Sequence, residues 1–317
     1  MAIERIPIEN SEQWLRDRQH FIGASEVATV CGENAYASAA VLFAEKKGLR
    51  APKQDSGPMR RGRWLENGAL EALLEHHPEW DVKRAKLHLR DTELRLAATP
   101  DAFATRPDRK GFGVIQVKCV SRKTFRDQWL LDPEDRIDTG DAEPPISFRL
   151  QTLAEQMLSD VQWGTIAALI LGEYNCDFRE FKIERDAVLE DRIRYNVKKF
   201  WSDYLDQNIM PPLDFERDAE LVKQLYPKDN DTTIDLRSNN RALAAIDELI
   251  ETSAAIKRMQ KQEKSLKSEL AAMLGHHSYG ELADGRRLSW RMQHRKAYSV
   301  EANAYRVLRI QNSRDVE

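Results

Sequence analysis

The chain lacks most of what would place it outside a reducing compartment or within a membrane. Its 317 residues include three cysteines, Cys31, Cys119 and Cys176, widely separated and without a Cys-x-x-Cys pair. That excludes a disulfide framework and a cysteine zinc site, and it fits free thiols in a reducing compartment. No apolar run approaches ~18 residues and the N-terminus has no apolar signal core, so a cytoplasmic protein is expected, neither secreted nor membrane-spanning. Basic excess is missing too. Lys and Arg number 49 against 52 Asp and Glu, a formal net charge of −3, which excludes a generally basic nucleic-acid coat. There is no internal repeat and no low-complexity tract. The pairs His76-His77 and His276-His277 offer no metal site, because adjacent histidines on a helix face different directions.

What charge there is falls unevenly. Lys46, Lys47, Arg50, Lys53, Arg60, Arg61 and Arg63 stand against Asp55 over residues 46–63, and Lys118, Arg122, Lys123 and Arg126 form a second cluster. A local basic channel on an acidic body suits contacts to phosphates, although solvated basic loops are the ordinary explanation.

The most informative stretch runs from Thr99-Pro100-Asp101 through a charged turn to Val114-Ile115-Gln116-Val117-Lys118. An acidic residue after a proline, followed by a β-rich run carrying Gln-x-Lys, is what a metal-dependent phosphodiesterase needs. Asp101 can hold a divalent cation from one strand, and the Gln116 side-chain oxygen can reach the same ion from the next. Side chains alternate along a strand, so Gln116 and Lys118 share a face while Val117 points to the other. Lys118 then sits where an ammonium can orient a water or offset charge on a scissile phosphate. Hard oxygen ligands imply Mg²⁺ or Mn²⁺.

This pattern resembles the PD-(D/E)XK nuclease motif. Further segments fall in order around it: Trp14-Leu15-Arg16-Asp17-Arg18 before Ile22-Gly23-Ala24-Ser25-Glu26-Val27-Ala28, then Arg61-Gly62-Arg63-Trp64-Leu65-Glu66-Asn67, then Phe148–Leu158 with Gln151 and Gln156-Met157. Together they resemble the phage lambda exonuclease and YqaJ family of viral recombinases over roughly residues 10–210. The resemblance implies a PD-(D/E)XK core, a central mixed sheet flanked by helices. It implies a cluster of Glu66, Asp101, Gln116 and the Val117 main-chain carbonyl around one Mg²⁺ or Mn²⁺, with Lys118 at its water. It also implies DNA contacts from Arg18 and Ser25, while Arg61, Arg63, Arg122 and Lys123 are expected DNA contacts from the two basic clusters. Arg18 lies seven positions before Ser25, the family's spacing for a phosphate-gripping pair. The chain departs from the family at Gln116, where glutamate is usual, and at Val120, where proline is usual. Its Q-x-Q-x-x-M helix motif is also imperfect around Gln151 and Gln156, the two glutamines that stand as further site candidates. A neutral amide keeps a carbonyl oxygen for the metal but removes one negative charge. The end-cleaving endonuclease of a transposon is similar in using Gln-x-Lys, so glutamine need not mean inactivity. A degenerate site, or a Glu→Gln change made to trap substrate, is the competing reading.

A helix is expected from Ser11 or Glu12 through Arg18, with Ser25 as the N-cap of the next. Further helices are expected over Ala39–Lys47, onward from Glu66 to His77, over Phe148–Leu158, and over Asp186–Gln207, where Leu189, Ile193, Val197, Phe200, Trp201 and Leu205 share a face. Strands are expected at Trp80–Leu89, Leu96–Ala98 with Phe103, Val114–Lys118, Gly164–Leu171 and Cys176–Ile183, and an exposed loop at Asp132–Pro145. Strands framed by helices make an α/β core, which we place at residues 1–212. An extension, 213–317, follows Pro211-Pro212, with a long helix over Ser238–Leu274 and a hairpin turning at Asp284-Gly285. That helix reads equally as packing against the core or as an arm for protein contact.

Three functions remain open. The resemblance implies a 5′→3′ exonuclease on double-stranded DNA ends, resecting one strand so that a single-strand annealing protein can load. It also implies a phage or prophage origin in a bacterial host, and a homo-oligomer, trimeric by family precedent. The alternatives are a noncatalytic DNA-binding or regulatory protein that lost activity through Gln116, and an endonuclease or nickase using the same site chemistry.

Overall fold

A computed structural model describes residues 3–8, 18–50, 56–296 and 304–311. Except for Arg18, the first expected helix lies outside these residues, as do Lys53 and Asp55.

The described chain begins with strand β1 (Ile3–Pro7) and β2 (Ile22–Gly23), then a 3₁₀ turn (Ala24–Glu26) leading into the short helix α1 (Val27–Val30). Helices α2 (Ala39–Lys46) and α3 (Gly57–His76) precede strands β3 (Asp81–Arg84), β4 (Leu87–Asp91), β5 (Leu96–Ala98), β6 (Ala102–Arg106) and β7 (Arg109–Ser121). Helices α4 (Arg122–Gln128) and α5 (Ile146–Ser159) carry the chain to β8 (Trp163–Leu171), β9 (Cys176–Glu184) and α6 (Ala187–Phe200). A π-helical turn, Trp201–Leu205, extends α6. Then come α7 (Ala219–Leu225), α8 (Asn240–Leu274) and the paired strands β10 (Tyr279–Glu281) and β11 (Arg287–Ser289).

The central sheet has five strands in the order β3-β6-β7-β8-β9. Only β7 and β8 run parallel within it, because α4 and α5 intervene between them as a crossover. The expected α/β architecture, a mixed sheet flanked by helices, is what forms. Each face of the sheet is covered by a helix with the matching apolar stripe. On one side Ile115, Val117 and Ala167 pack against Ala69, Leu70 and Leu73 of α3. On the other, Val120, Ile166 and Ala168 meet Leu150, Leu153, Ala154 and Leu158, the i, i+3, i+4, i+8 stripe of α5. Asp160 closes α5 in the left-handed conformation, with φ 56°.

The single strand expected over Trp80–Leu89 is two strands in two sheets. β3 pairs with β6, while β4 joins a second sheet of order β1-β4-β5-β2. The chain leaves one sheet for the other at Ala85 and Lys86, where the Ala85 amide donates to the Asp101 carbonyl at 3.1 Å. This corner between the sheets fixes the backbone of Asp101. Ser25 does not cap a helix. It lies inside the 3₁₀ turn, and the Gly23 amide is instead taken by the Glu26 carboxylate at 2.7 Å.

The first compact unit extends to Leu225, past the boundary placed at Pro212, and residues 226–317 form a second unit. Residues beyond Pro212 belong to the first unit because Leu221 packs with Ala40 and Ala44, and the buried Asp218 carboxylate accepts from Ser38 Oγ at 2.6 Å and from the Asp214 amide at 2.7 Å. Ser38 in turn caps α2 by accepting from the Val41 amide. Asp218→Ala strands the buried Ser38 hydroxyl and the half-buried Asp214 amide, so it should lower stability by about 1–3 kcal/mol in urea unfolding. A change within a few tenths of that energy scale's zero would mean this link does not hold the segment. In the second unit, Gly285 (φ +82°) supplies the turn that joins β10 to β11.

Candidate active site

The register of the sheet brings the motif residues together. Ala102 of β6 pairs with Ile115 of β7, so Asp101, one residue earlier, meets the chain at Gln116. The Asp101 carboxylate accepts the Val117 amide at 2.7 Å and also the Gln116 side-chain amide. Gln116 Nε2 also lies 3.2 Å from the Val117 carbonyl oxygen. Gln116 and Lys118 do face the same way, toward α5. There Gln151 receives both: its Oε1 accepts from Lys118 Nζ at 3.0 Å, and its Nε2 donates to Gln116 Oε1 at 2.8 Å. The Lys118 ammonium also lies 4.7 Å from the centroid of the Phe148 ring. Donors and acceptors thus run in one direction from Lys118 through Gln151 and Gln116 to Asp101.

One member of this network was missed in the sequence. Glu155, one turn after Gln151 on α5, accepts from Gln151 Nε2 at 3.0 Å. It is 1 % exposed, and its Oε2 has no hydrogen-bond partner among the described residues. The available signal was the lone acid of α5, four residues from a glutamine already singled out. Gln156 turns the opposite way and donates to the Ile183 carbonyl at 2.6 Å, so its side chain is spent on β9.

Burial governs the charges here. It pushes the Asp101 carboxyl above its ordinary range despite the opposing Lys118 charge and the Val117 N–H. It pushes Lys118 below the usual ammonium range, against the pull of Asp101 and Glu155. Glu155 is raised to about 8, first by burial and then by the charge of Asp101. Removing these groups from water costs more than their mutual attraction returns.

Glu66 stands outside this network. It lies in the middle of α3, not at its start, and its carboxylate pairs with Arg84 of β3, whose guanidinium also donates to Asn67 at 2.7 Å. The Arg84 charge acts on Asp101 as well, so this arginine lies between the two acids electrostatically.

Arg18 and Ser25 line a cavity of about 100 Å³ that Thr99, Gln151 and Glu155 also line. The Arg18 guanidinium pairs with Glu26 at 3.5 Å, and Glu26 is held further by Lys46 at 2.7 Å. The expected phosphate-gripping pair therefore opens onto the same space as the α5 end of the motif network. The remaining basic residues are dispersed. Arg61 lies close enough for its charge to act on the Cys119 thiol, and Arg63 is exposed on α3. Arg122 is paired with Asp177 and Lys123 with Asp127.

Among the described residues, no three acidic, histidine or cysteine side chains group as a ready-made metal cluster. The oxygen donors nevertheless suit a hard cation. A carboxylate, a main-chain carbonyl and the Gln116 amide lie within one hydrogen-bonded group, the amide turning its nitrogen to the first two and its oxygen to Gln151, and a buried carboxylate oxygen beside them is unpartnered.

Residues 13–162 are similar to the YqaJ-like viral recombinase domain. The matched stretch spans every motif residue from Arg18 to Gln156. The chain is 25 % identical over 276 residues to the uncharacterized protein YqaJ of Bacillus subtilis (strain 168), covering 85 % of this chain and 80 % of that one. Among solved structures, it is similar to an alkaline exonuclease (LHK-Exo) from Laribacter hongkongensis at 22 % identity, with a TM-score of 0.48, covering 67 % of this chain and 100 % of that one. A phage related exonuclease from Haemophilus somnus 129PT is similar at 16 % identity and TM-score 0.39, covering 59 % of this chain and 96 % of that one.

Proposed function

We propose that the chain is a divalent-metal-dependent deoxyribonuclease that digests double-stranded DNA from its ends, 5′→3′, leaving single strands for phage-type recombination. The observation that carries this reading is the bonded group Asp101–Gln116–Gln151–Lys118, set between the central strand β7 and helix α5. Asp101, the Gln116 amide oxygen and the Val117 carbonyl would hold Mg²⁺ or Mn²⁺. When bound, that ion would supply an acidified water and offset charge on the scissile phosphate. Lys118 holds its ammonium beside Asp101 through Gln151, where it can orient the attacking water or the phosphate oxygens. Glu66 is held by Arg84 and would join the ligands only on releasing that partner. A single-strand annealing protein as the recipient of the product, a homo-oligomer such as a trimer, and a cytoplasmic location in a bacterial host belong to the same proposal. No helix among the described residues is long and apolar enough to cross a membrane.

Arg18 and Ser25 are proposed to meet the 5′-terminal phosphate of the end, the guanidinium fork matching two phosphate oxygens. Arg18→Ala should then slow digestion of 5′-phosphorylated ends at least tenfold more than digestion of 5′-hydroxyl ends. This is a loss of about 1.4 kcal/mol specific to the phosphate. Equal slowing on both substrates would move Arg18 to general backbone contact.

A specific observation favours the noncatalytic alternative. The Gln116 amide already satisfies Asp101 without any cation. Gln116→Glu separates the two readings: a naturally active site retains or gains cleavage, whereas an inactivated one rises from near zero. No cleavage by either form, with Mg²⁺ or Mn²⁺ and on any end, would leave the noncatalytic reading standing.

A further inference from the structure

Resting on the metal-dependent reading above, we infer that Glu155 supplies the second charged ligand of the cation, from helix α5, in place of the carboxylate that β7 lacks at Gln116. Three observations converge on it. Glu155 is a carboxylate at 1 % exposure with Oε2 unpartnered, an expensive arrangement for a residue with only a structural role. Its other oxygen and the Gln116 amide oxygen both accept from one atom, Gln151 Nε2, at 3.0 and 2.8 Å. The two oxygens therefore lie no farther apart than the sum of those distances, and the electropositive NH₂ group of Gln151 sits between them. Ligands ~2.1 Å from one Mg²⁺ lie about 3–4 Å from each other, so a cation taking the place of that NH₂ group would gather both oxygens. Finally, Gln116 links the two acids, its Oε1 sharing Gln151 Nε2 with Glu155 and its Nε2 donating to Asp101.

The arrangement also accounts for Gln116 itself. With glutamate at that position, Asp101, Glu155 and residue 116 would bring three carboxylates against one another, with Lys118 as the partner cation in the network. The amide keeps an oxygen for the ion and gives an N–H to Asp101, while the charge sits on the neighbouring helix. The cavity lined by Glu155 and Arg18 puts this carboxylate on the side from which a DNA phosphate would approach.

Mn²⁺ binding to the full chain, measured by calorimetry and by the loss of the free-ion electron paramagnetic resonance signal, tests this without reference to cleavage. Glu155→Gln should weaken Mn²⁺ binding at least about tenfold, as removal of a charged ligand does. The double change Glu155→Gln with Gln116→Glu should restore it to within about threefold, because the carboxylate has only moved to the facing strand. Without metal, Glu155→Gln should melt no lower than the parent chain, since it replaces a buried carboxyl, raised to about 8 by burial, with a neutral amide of the same shape. Glu155→Leu provides a second neutral variant should the glutamine form not fold. If Glu155→Gln binds Mn²⁺ like the parent while Asp101→Asn does not, the assignment of Glu155 is overturned and the metal site stands. Failure of rescue by Gln116→Glu likewise overturns it. If the parent chain binds neither Mn²⁺ nor Mg²⁺, the metal-dependent reading fails, and this assignment with it.

Discussion

Asp101→Ala should lower Mg²⁺-dependent DNA cleavage by roughly 10²–10³-fold or more, the scale of losing a principal electrostatic element of a site. Asp101 receives both the Val117 amide and the Gln116 side chain, so every candidate ligand on β7 is oriented through it. The fold should survive. Burial raises the Asp101 carboxyl, so the folded state gains little from its charge at neutral pH. Truncation strands the Val117 N–H at a cost of about 1–3 kcal/mol. Asp101→Asn keeps an acceptor for that amide and should restore most of the stability but none of the cleavage. Circular dichroism melts beside nuclease assays on both variants check this. Cleavage by the asparagine form at the parent rate would remove Asp101 from the chemistry.

Lys118→Met should cause a comparable loss of cleavage for a different reason, and metal binding distinguishes the two. The Lys118 ammonium faces Asp101 and Glu155 and is bonded to Gln151, where it competes with a cation for the same negative charge. Its removal takes away the cation that acts on both carboxylates. Mn²⁺ affinity should therefore hold or rise while cleavage falls roughly 10²–10³-fold, because the group that orients water or phosphate is gone. Calorimetry with Mn²⁺ alongside single-turnover cleavage reads both quantities. Parallel loss of affinity and rate would make Lys118 a support of the fold instead.

How far the sequence alone led can be judged from particular residues. Alternation along β7 was enough to put Gln116 and Lys118 on one face, since a strand has only two faces. The order of helices and strands likewise sufficed for the α/β layers, because each carried its own apolar period. Glu155 escaped because helical spacing relates it to Gln151, not to a distant strand, and only the packing of α5 on β7 shows what both face. The break at Ala85 escaped because Trp80–Leu89 keeps its strand-like composition while changing sheets. Residue type suggests Ser25 as a cap, but Ser25 lies inside the 3₁₀ turn, where Glu26 precedes α1 and reaches back to the Gly23 amide. Glu66 was assigned by position in a motif, and nothing in sequence marked Arg84, eighteen residues on, as its partner.

Digestion of duplex DNA with Mg²⁺ or EDTA, comparing linear molecules labelled separately at the 5′ and 3′ ends with closed circular molecules, tests the central claim most directly. A metal-dependent, end-directed 5′→3′ exonuclease predicts early release of the 5′ label with Mg²⁺, late release of the 3′ label, intact circles, and no release with EDTA or with Asp101→Ala. Nicked or linearised circles would contradict end-directed digestion and make the protein an endonuclease. Intact linear and circular DNA under every metal condition would contradict the enzymatic account altogether.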